Sequence, residues 1–210
     1  MELKTITKHA KKVTKNAKND ALKNMHFNDN HIEFTDDHRL VRLKYQHEYN
    51  NTLINPTTEQ KTRNEYSCFL NVEKVIPKDD DAKNIIIFNS DEINTILNVL
   101  KLFKNLKVKS VKLELNENDN YLLTAFDSEN ENLQRLNLSY ILNNKKINDN
   151  VKKIVLNTEY LLNAFEFLKD FDKANNEDSY YLNLYGRIQP IKITDKSNTF
   201  DYVIMPIRTV

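Results

Sequence analysis

Glycine is almost absent from this chain: Gly186 is the single one in 210 residues. Walker-type phosphate loops, dinucleotide fingerprints and nucleophile elbows each need several glycines, because the backbone there turns tightly or closely approaches a ligand. None of these can form here. Cysteine is equally scarce. Cys68 alone cannot make an internal disulfide, which indicates a reducing compartment, and among apolar neighbours it reads as a structural thiol. No apolar run approaches the ~20 residues that cross a bilayer, and residues 1–20 are too lysine-rich for a signal peptide. The expectation is a soluble, cytoplasmic protein without membrane contact. Neither sign of charge dominates, with 31 Lys+Arg against 30 Asp+Glu, so the chain lacks the global basicity of many nucleic-acid binders.

What is abundant is asparagine, at 31 residues. Asn is the non-glycine residue best suited to left-handed backbone, so it is read as standing in for Gly in the turns. A hydrophobic content of 40% with 29% charged residues is globular, and the length suits one large domain or two small ones.

Along residues 3–18, Leu3, Ile6, Ala10, Val13 and Ala17 recur at spacings of three and four. So do Lys4, Lys8, Lys11, Lys15 and Lys18, rotated roughly 140° away at 100° per residue. This is an amphipathic helix with a lysine stripe, its first residues readable instead as a strand feeding it. Strands follow at Met25–Phe27, Ile32–Phe34, Leu40–Gln46 and Tyr66–Val75. Residues 47–65, polar and unpatterned around Pro56, are a linker or a long excursion between strands.

From residue 85 one unit occurs twice. In the first copy, Ile85–Phe88 is a strand, Ser90 an N-cap, and Ile93, Ile96, Leu97 and Leu100 the buried face of a helix. Strands at Val111–Leu115, Tyr121–Phe126 and Leu133–Leu138 complete it. The second copy has a strand at Ile154–Leu156, Asn157 as N-cap and a helix burying Leu161, Ala164, Phe165 and Leu168. Its strands are Tyr180–Leu184, Ile188–Ile193 and Tyr202–Ile207. The fold class is therefore α+β: repeats of strand, helix and three strands, with helices on one face of antiparallel sheets. The N-terminal region reads as a third copy.

The run Tyr202-Val203-Ile204-Met205-Pro206-Ile207-Arg208 resembles the C-terminus of the bacterial DNA polymerase III beta subunit, the sliding clamp. Three further matches follow the family's order. Phe34-Thr35-Asp36-Asp37-His38-Arg39-Leu40 is similar to the middle domain's "ATDGHRL", with Asp37 in place of Gly. Val75-Ile76-Pro77-Lys78 is similar to the "VIPK" leading into the last domain. Asn157-Thr158-Glu159-Tyr160-Leu161-Leu162 is similar to "N-x-x-Y-L-L" at the head of the last helix. The resemblance implies that residues 67–210 form a complete last domain and residues 1–66 half of the middle one, as in a shortened, phage- or mobile-element-like member. A clamp ring closes from twelve such units. It would thus need four copies of a three-unit chain, or three copies if residues 47–65 hide a fourth unit.

A clamp has no chemistry of its own, so the resemblance implies neither enzyme activity nor a cofactor. It implies a processivity factor that encircles duplex DNA as a homo-oligomeric ring, and tethers DNA polymerase and other replication proteins through their short motifs. Whether a clamp loader is needed stays open. The charge distribution fits: residues 1–25 carry net +5 and the remainder net −4. The DNA-facing candidates are Lys4, Lys8, Lys11, Lys12, Lys15 and Lys18, with Lys101, Lys104, Lys169 and Lys173 on the other two helices. The peptide groove carried over from the family would use Thr35, His38, Arg39 and Leu40 on one side. Pro77, Asn157, Tyr160, Ile191, Val203, Met205, Pro206, Ile207 and Arg208 would form the other, aliphatics and Met as floor and His, Arg, Asn and Tyr as rim. The bland readings are a solvated helix face for the lysines and a core strand for Val203–Ile207. The alternative function is a clamp-like adaptor or decoy that binds replisome proteins without encircling DNA. His26, His31 and His38 have no Cys or carboxylate at metal-ligand spacing.

Overall fold

The computed structural model describes residues 1–63, 69–126, 139–142, 144–147 and 151–208. Cys68 and the strand expected at Leu133–Leu138 lie outside the described residues. The chain opens with helix α1 (Leu3–Thr14), followed by a short 3-10 turn and strands β1 (Met25–Asn28), β2 (His31–Thr35), β3 (Arg39–Lys44), β4 (Thr52–Ile54) and β5 (Lys61–Arg63). After two more 3-10 turns come β6 (Asn84–Phe88), α2 (Ser90–Asn105), β7 (Ser110–Leu115) and β8 (Tyr121–Phe126). Then follow β9 (Ser139–Leu142), β10 (Asn144–Ile147), β11 (Lys153–Asn157), α3 (Thr158–Asn175), β12 (Tyr180–Leu184), β13 (Ile191–Asp195) and β14 (Phe200–Ile204).

The two C-terminal copies interlock. The strand that opens each copy pairs with the sheet of the other: β6 lies beside β12, and β11 beside β7. The small sheet β11-β7-β8-β9 thus has the same order as β6-β12-β13-β14 in the large one, as a pseudo-twofold axis requires. Helices α2 and α3 pack directly on each other and share one hydrophobic core with both sheets. Two sheets back this helix pair rather than a single outer one, because each helix has only one apolar stripe and the exchanged strands split the cover between them.

A second quasi-symmetry runs through the large sheet, whose order is β10-β6-β12-β13-β14-β3-β2-β1-β4-β5. The antiparallel β14–β3 pairing lies at its centre, with Leu40 opposite Val203 and Arg39 opposite Ile204. Five strands stand on either side. The path α1-β1-β2-β3 retraces α3-β12-β13-β14, and β4 sits beside β1 as β6 sits beside β12. Residues 47–63 are therefore not a featureless linker. They hold the β4–β5 hairpin that completes this sheet but contain no helix, and so make no fourth strand–helix unit.

Local chemistry explains the remaining differences from expectation. The N-cap of α2 is Asn89, not Ser90: its side chain accepts from the Glu92 N–H while the Glu92 carboxylate accepts from the Asn89 N–H, a capping box. Asn157 caps α3 by accepting from the Glu159 and Tyr160 N–H groups. Helix α1 stops at Thr14, and Ala17 beyond it packs elsewhere. The described part of the strand expected at Tyr66–Val75 is instead extended chain and a 3-10 turn at Val72–Lys74, because Val72, Val75 and Ile76 pack as a patch rather than alternate. The strand expected from Ile188 begins only at Ile191. Left-handed residues are Asn51, Asn176 and Asn198, but equally Asp29, Asp37 and Asp119, with Glu59 and Lys107. Asn shares the glycine role with Asp, whose short side chain can also bond the local backbone.

Candidate functional site

The two motif segments Thr35–Leu40 and Val203–Arg208, more than 160 residues apart in sequence, meet through β3 and β14. Beyond the last strand pair, the Met205 N–H donates to the His38 carbonyl at 2.8 Å. The Ile207 N–H then donates to the Val155 carbonyl of β11 at 2.8 Å, so the tail crosses from the large sheet onto the small one. The head of α3 lies against the same spot. The Tyr160 ring stacks on His38 at 6.2 Å between centroids, and the Arg39 guanidinium lies 4.3 Å from the Tyr160 centroid.

The turn between β2 and β3 is built by Asp36. Its carboxylate accepts from the His38 and Arg39 N–H groups, and from Arg39 Nε at 3.0 Å. Asp37 takes φ 72°, the left-handed position where the family pattern has glycine. The Thr35 hydroxyl donates to the Arg39 carbonyl at 2.7 Å. Arg39 also donates to the Lys12 carbonyl at 2.9 Å, which ties the turn to α1.

These contacts divide the expected groove residues. His38, Met205, Ile207 and Arg208 are exposed, and Pro77, Asn157, Tyr160 and Pro206 half-buried. Thr35, Arg39, Leu40, Ile191 and Val203 are buried, which moves Arg39 off the rim and takes Thr35 and the expected floor aliphatics Leu40, Ile191 and Val203 into the core. For Arg39 the reason is the Asp36 carboxylate and Lys12 carbonyl, which draw the guanidinium inward. Ile191 is core, opposite Ile204. Leu40 and Val203 point to the side of the sheet away from the helices, where Phe69, Val72, Val75 and Ile76 cover them together with Ala17, Leu22 and Leu53. The covering segment is pinned by Arg42–Glu73 at 2.6 Å and Lys192–Asp79 at 2.6 Å, which sets the position of Pro77. Sequence reasoning missed Phe69, Val72 and Ile76 as part of this floor. Only the "VIPK" match touched one of them, because an irregular segment has no periodicity to read. What stands open is a compact surface of His38, Tyr160, Met205, Pro206, Ile207 and Arg208. Burial, and then the nearby Asp36, hold the Tyr160 phenol above its ordinary pKa, so at neutral pH it offers a hydrogen-bond donor.

The second candidate region is the helix layer. Helix α3 touches both α2 and α1. The buried stripe of α1 is Ile6, His9, Ala10, Val13 and Thr14, and its lysines lie around the other faces. Several of them are already engaged: Lys8 with Asp170 at 3.2 Å, Lys12 with Glu166 at 2.5 Å and Lys15 with Glu159 at 3.7 Å, all on α3. These three therefore also hold α1 onto α3, a role their spacing did not reveal. Buried His9 joins them, 3.0 Å from Asp170 and edge-on to Phe167 at 5.4 Å. Lys4, Lys11 and Lys18 are exposed, as are Lys101, Lys104 and Lys173, while Lys169 is half-buried. Among the described residues no group of three or more His, Cys, Asp or Glu is placed to hold a metal ion, and no helix is long and apolar enough to cross a membrane.

No family model matches the sequence, and no curated protein matches it. Comparison of the fold does find similar structures. The DNA polymerase III beta chain of Streptococcus pneumoniae superposes with a TM-score of 0.66 at 16% identity, covering 98% of this chain and 63% of that one. The sliding clamp of Caulobacter crescentus gives 0.69 at 15%, covering 97% and 63%. That of Bartonella birtlesii, solved bound to griselimycin, gives 0.67 at 15%, covering 98% and 64%. The fold is that of the bacterial sliding clamps, over almost the whole of this chain and somewhat under two thirds of theirs.

Proposed function

We propose that this protein is a DNA polymerase processivity factor. It assembles as a homo-oligomeric ring around duplex DNA and holds polymerase through the surface at His38, Tyr160 and Met205–Arg208, without catalysing a reaction itself. In this reading residues 1–66 are a shortened half domain and 67–210 a complete C-terminal domain. The observation that carries it is the helix layer: α3 packs between α2 and α1 over a sheet that continues unbroken through β14–β3, and α1 alone of the three has a net positive charge, Lys4, Lys8, Lys11 and Lys12 with no acidic residue. Such a layer presents cations to a phosphate backbone without base-reading side chains, which suits sliding.

The ion pairs to α3 decide how this is tested. Replacing Lys8 or Lys15 by Glu would set like charges against Asp170 or Glu159 and disturb packing, so the informative variant is Lys4→Glu with Lys11→Glu and Lys18→Glu. It should fold normally and lose DNA association, and each lost phosphate contact should flatten the log–log salt dependence by roughly one unit. Full affinity at low salt would remove α1 from the DNA-facing surface. Sedimentation separates ring from adaptor: a closed cyclic oligomer supports encirclement, whereas a stable monomer at micromolar concentration supports the adaptor. A short peptide with Gln and Leu-Phe anchors should bind at about micromolar affinity, or about −8 kcal/mol, because its ordering on docking opposes the contacts. Truncation after Met205 should abolish that binding.

A further inference from the structure

The quasi-symmetry of the large sheet leaves one position without an occupant among the described residues. In the C-terminal half, α2 lies on the far flank of α3 and shares a core with the inner faces of β6 and β12. The matching strands of the N-terminal half are β4 and β1, and the matching helix is α1. No described helix lies on the far flank of α1. A cleft of about 850 Å³ is found there instead. Its floor is Met25 and Phe27 of β1 with Ile54 of β4, Tyr49 closes one side, and Leu3 and Thr7 of α1 form the opposite wall. Tyr49 packs edge-on to Phe27 at 5.2 Å and so covers part of what a helix would cover. Leu3 remains 37% exposed, an apolar side chain lining an apolar cleft.

Four lysines ring the mouth of the cleft, Lys4, Lys8 and Lys11 along α1 and Lys61 on β5, against one carboxylate, Glu59. Lys8 is already paired with Asp170, and Lys61 donates to the Tyr49 hydroxyl, which leaves Lys4 and Lys11 as its unengaged cations among the described residues. A phosphate backbone running along α1 would meet Lys4 and Lys11, as in the proposed function, but would leave the apolar floor of the cleft uncovered. The exposed C-terminal end of α2 in a second copy would bring Lys101, Lys104 and Lys107 against these lysines, like charge to like. An amphipathic helix with carboxylates beside its apolar stripe matches both the floor and the rim.

We propose that this cleft is a docking site for such an acidic amphipathic helix of a partner protein, seated as α2 is seated beside α3. It is separate from the surface at His38 and Met205–Arg208.

The probe is a synthetic peptide with the sequence of residues 89–106, whose apolar pattern already fits the equivalent place, carrying Lys101→Glu and Lys104→Glu. Fluorescence anisotropy with the full-length protein should show saturable binding, about tenfold weaker for the peptide with both lysines kept. Filling the cleft with Thr7→Trp should reduce affinity about thirtyfold or more, as blocking a central pocket does. Leu3→Glu, at an exposed position in the first turn where an acidic residue suits the helix, provides a second variant and should weaken binding likewise. The proposal is overturned if both peptides bind equally, or if neither variant changes the affinity. It is also overturned if Thr7→Trp lowers the oligomeric mass of the protein, which would make a second copy the occupant.

Discussion

The two halves of the ten-stranded sheet share a strand order but are held together differently. On the C-terminal side, α3 lies over a packed aromatic group in which Phe167, Phe171, Tyr180, Phe200 and Tyr202 have ring centroids 4.7–6.4 Å apart. Its flank is covered by α2, and both helices are capped by Asn side chains. On the N-terminal side, α1 has Glu2 before it with no capping side chain, one flank open, and its other flank joined to α3 by ion pairs and His9. One apolar core runs through both halves, Ile6, Ala10 and Val13 of α1 included, but where the C-terminal half adds a second helix the N-terminal half adds ion pairs to α3. Lysines that would otherwise repel one another along α1 find their carboxylates on a neighbour, so the basic helix depends on the complete half for its place.

The largest expected effect is at the seam between the halves. Asp36→Ala leaves the Arg39 guanidinium, whose side chain is 1% exposed, as a buried cation without its carboxylate. Such a change costs about 3–5 kcal/mol, and urea denaturation should show it as one cooperative loss because Arg39 touches α1, β3 and α3. A smaller change confined to α1 would mean that the halves unfold independently. Next come the caps. Asn157→Ala and Asn89→Ala should each destabilise by about 1 kcal/mol, while Glu2→Ser, which supplies the missing N-cap, should stabilise by a few tenths up to about 1 kcal/mol. Thermal denaturation of the three variants tests the contrast, and equal effects of opposite sign would show that α1 is limited by its start rather than by its open flank. The smallest effect is with pH. Burial holds the His9 pKa below its ordinary value of 6.5, despite the opposing pull of Asp170. As pH falls below 6.5 the unfolded chain takes up a proton that the folded one resists, so this contribution is present above that value and is lost below it. Amide protection factors, corrected for the intrinsic pH dependence of exchange, should fall in Leu3–Thr14 between neutral pH and pH 5 more than in Thr158–Asn175, and His9→Leu should remove the difference.

Much of this was legible from local pattern. The 3.6-residue stripe of α1, the Asn157 cap, the alternation in β7 and the doubling of the strand–helix unit are short-range features, and short-range spacing determines which face of an element is apolar. The C-terminal run and the Phe34–Leu40 run marked two segments as related to one surface. Three-dimensional pairing settled the rest. The exchange of β6 and β11 between sheets, the β14–β3 seam and the β4–β5 hairpin are contacts between distant residues, and nothing in a strand's own sequence names its partner. Lys8 and Lys15 look the same as Lys4 and Lys11 in the helical stripe. Only the arrival of α3, with Glu159, Glu166 and Asp170 on the facing side, makes some of them structural and leaves the others open to solvent. Arg39 reads as a rim residue until Asp36 and the Lys12 carbonyl turn it inward. The sequence by itself determined which side chains are apolar, charged or turn-forming. The tertiary structure decided which of the charged ones are free to bind, because a charge is neutralised by whatever lies across from it in space.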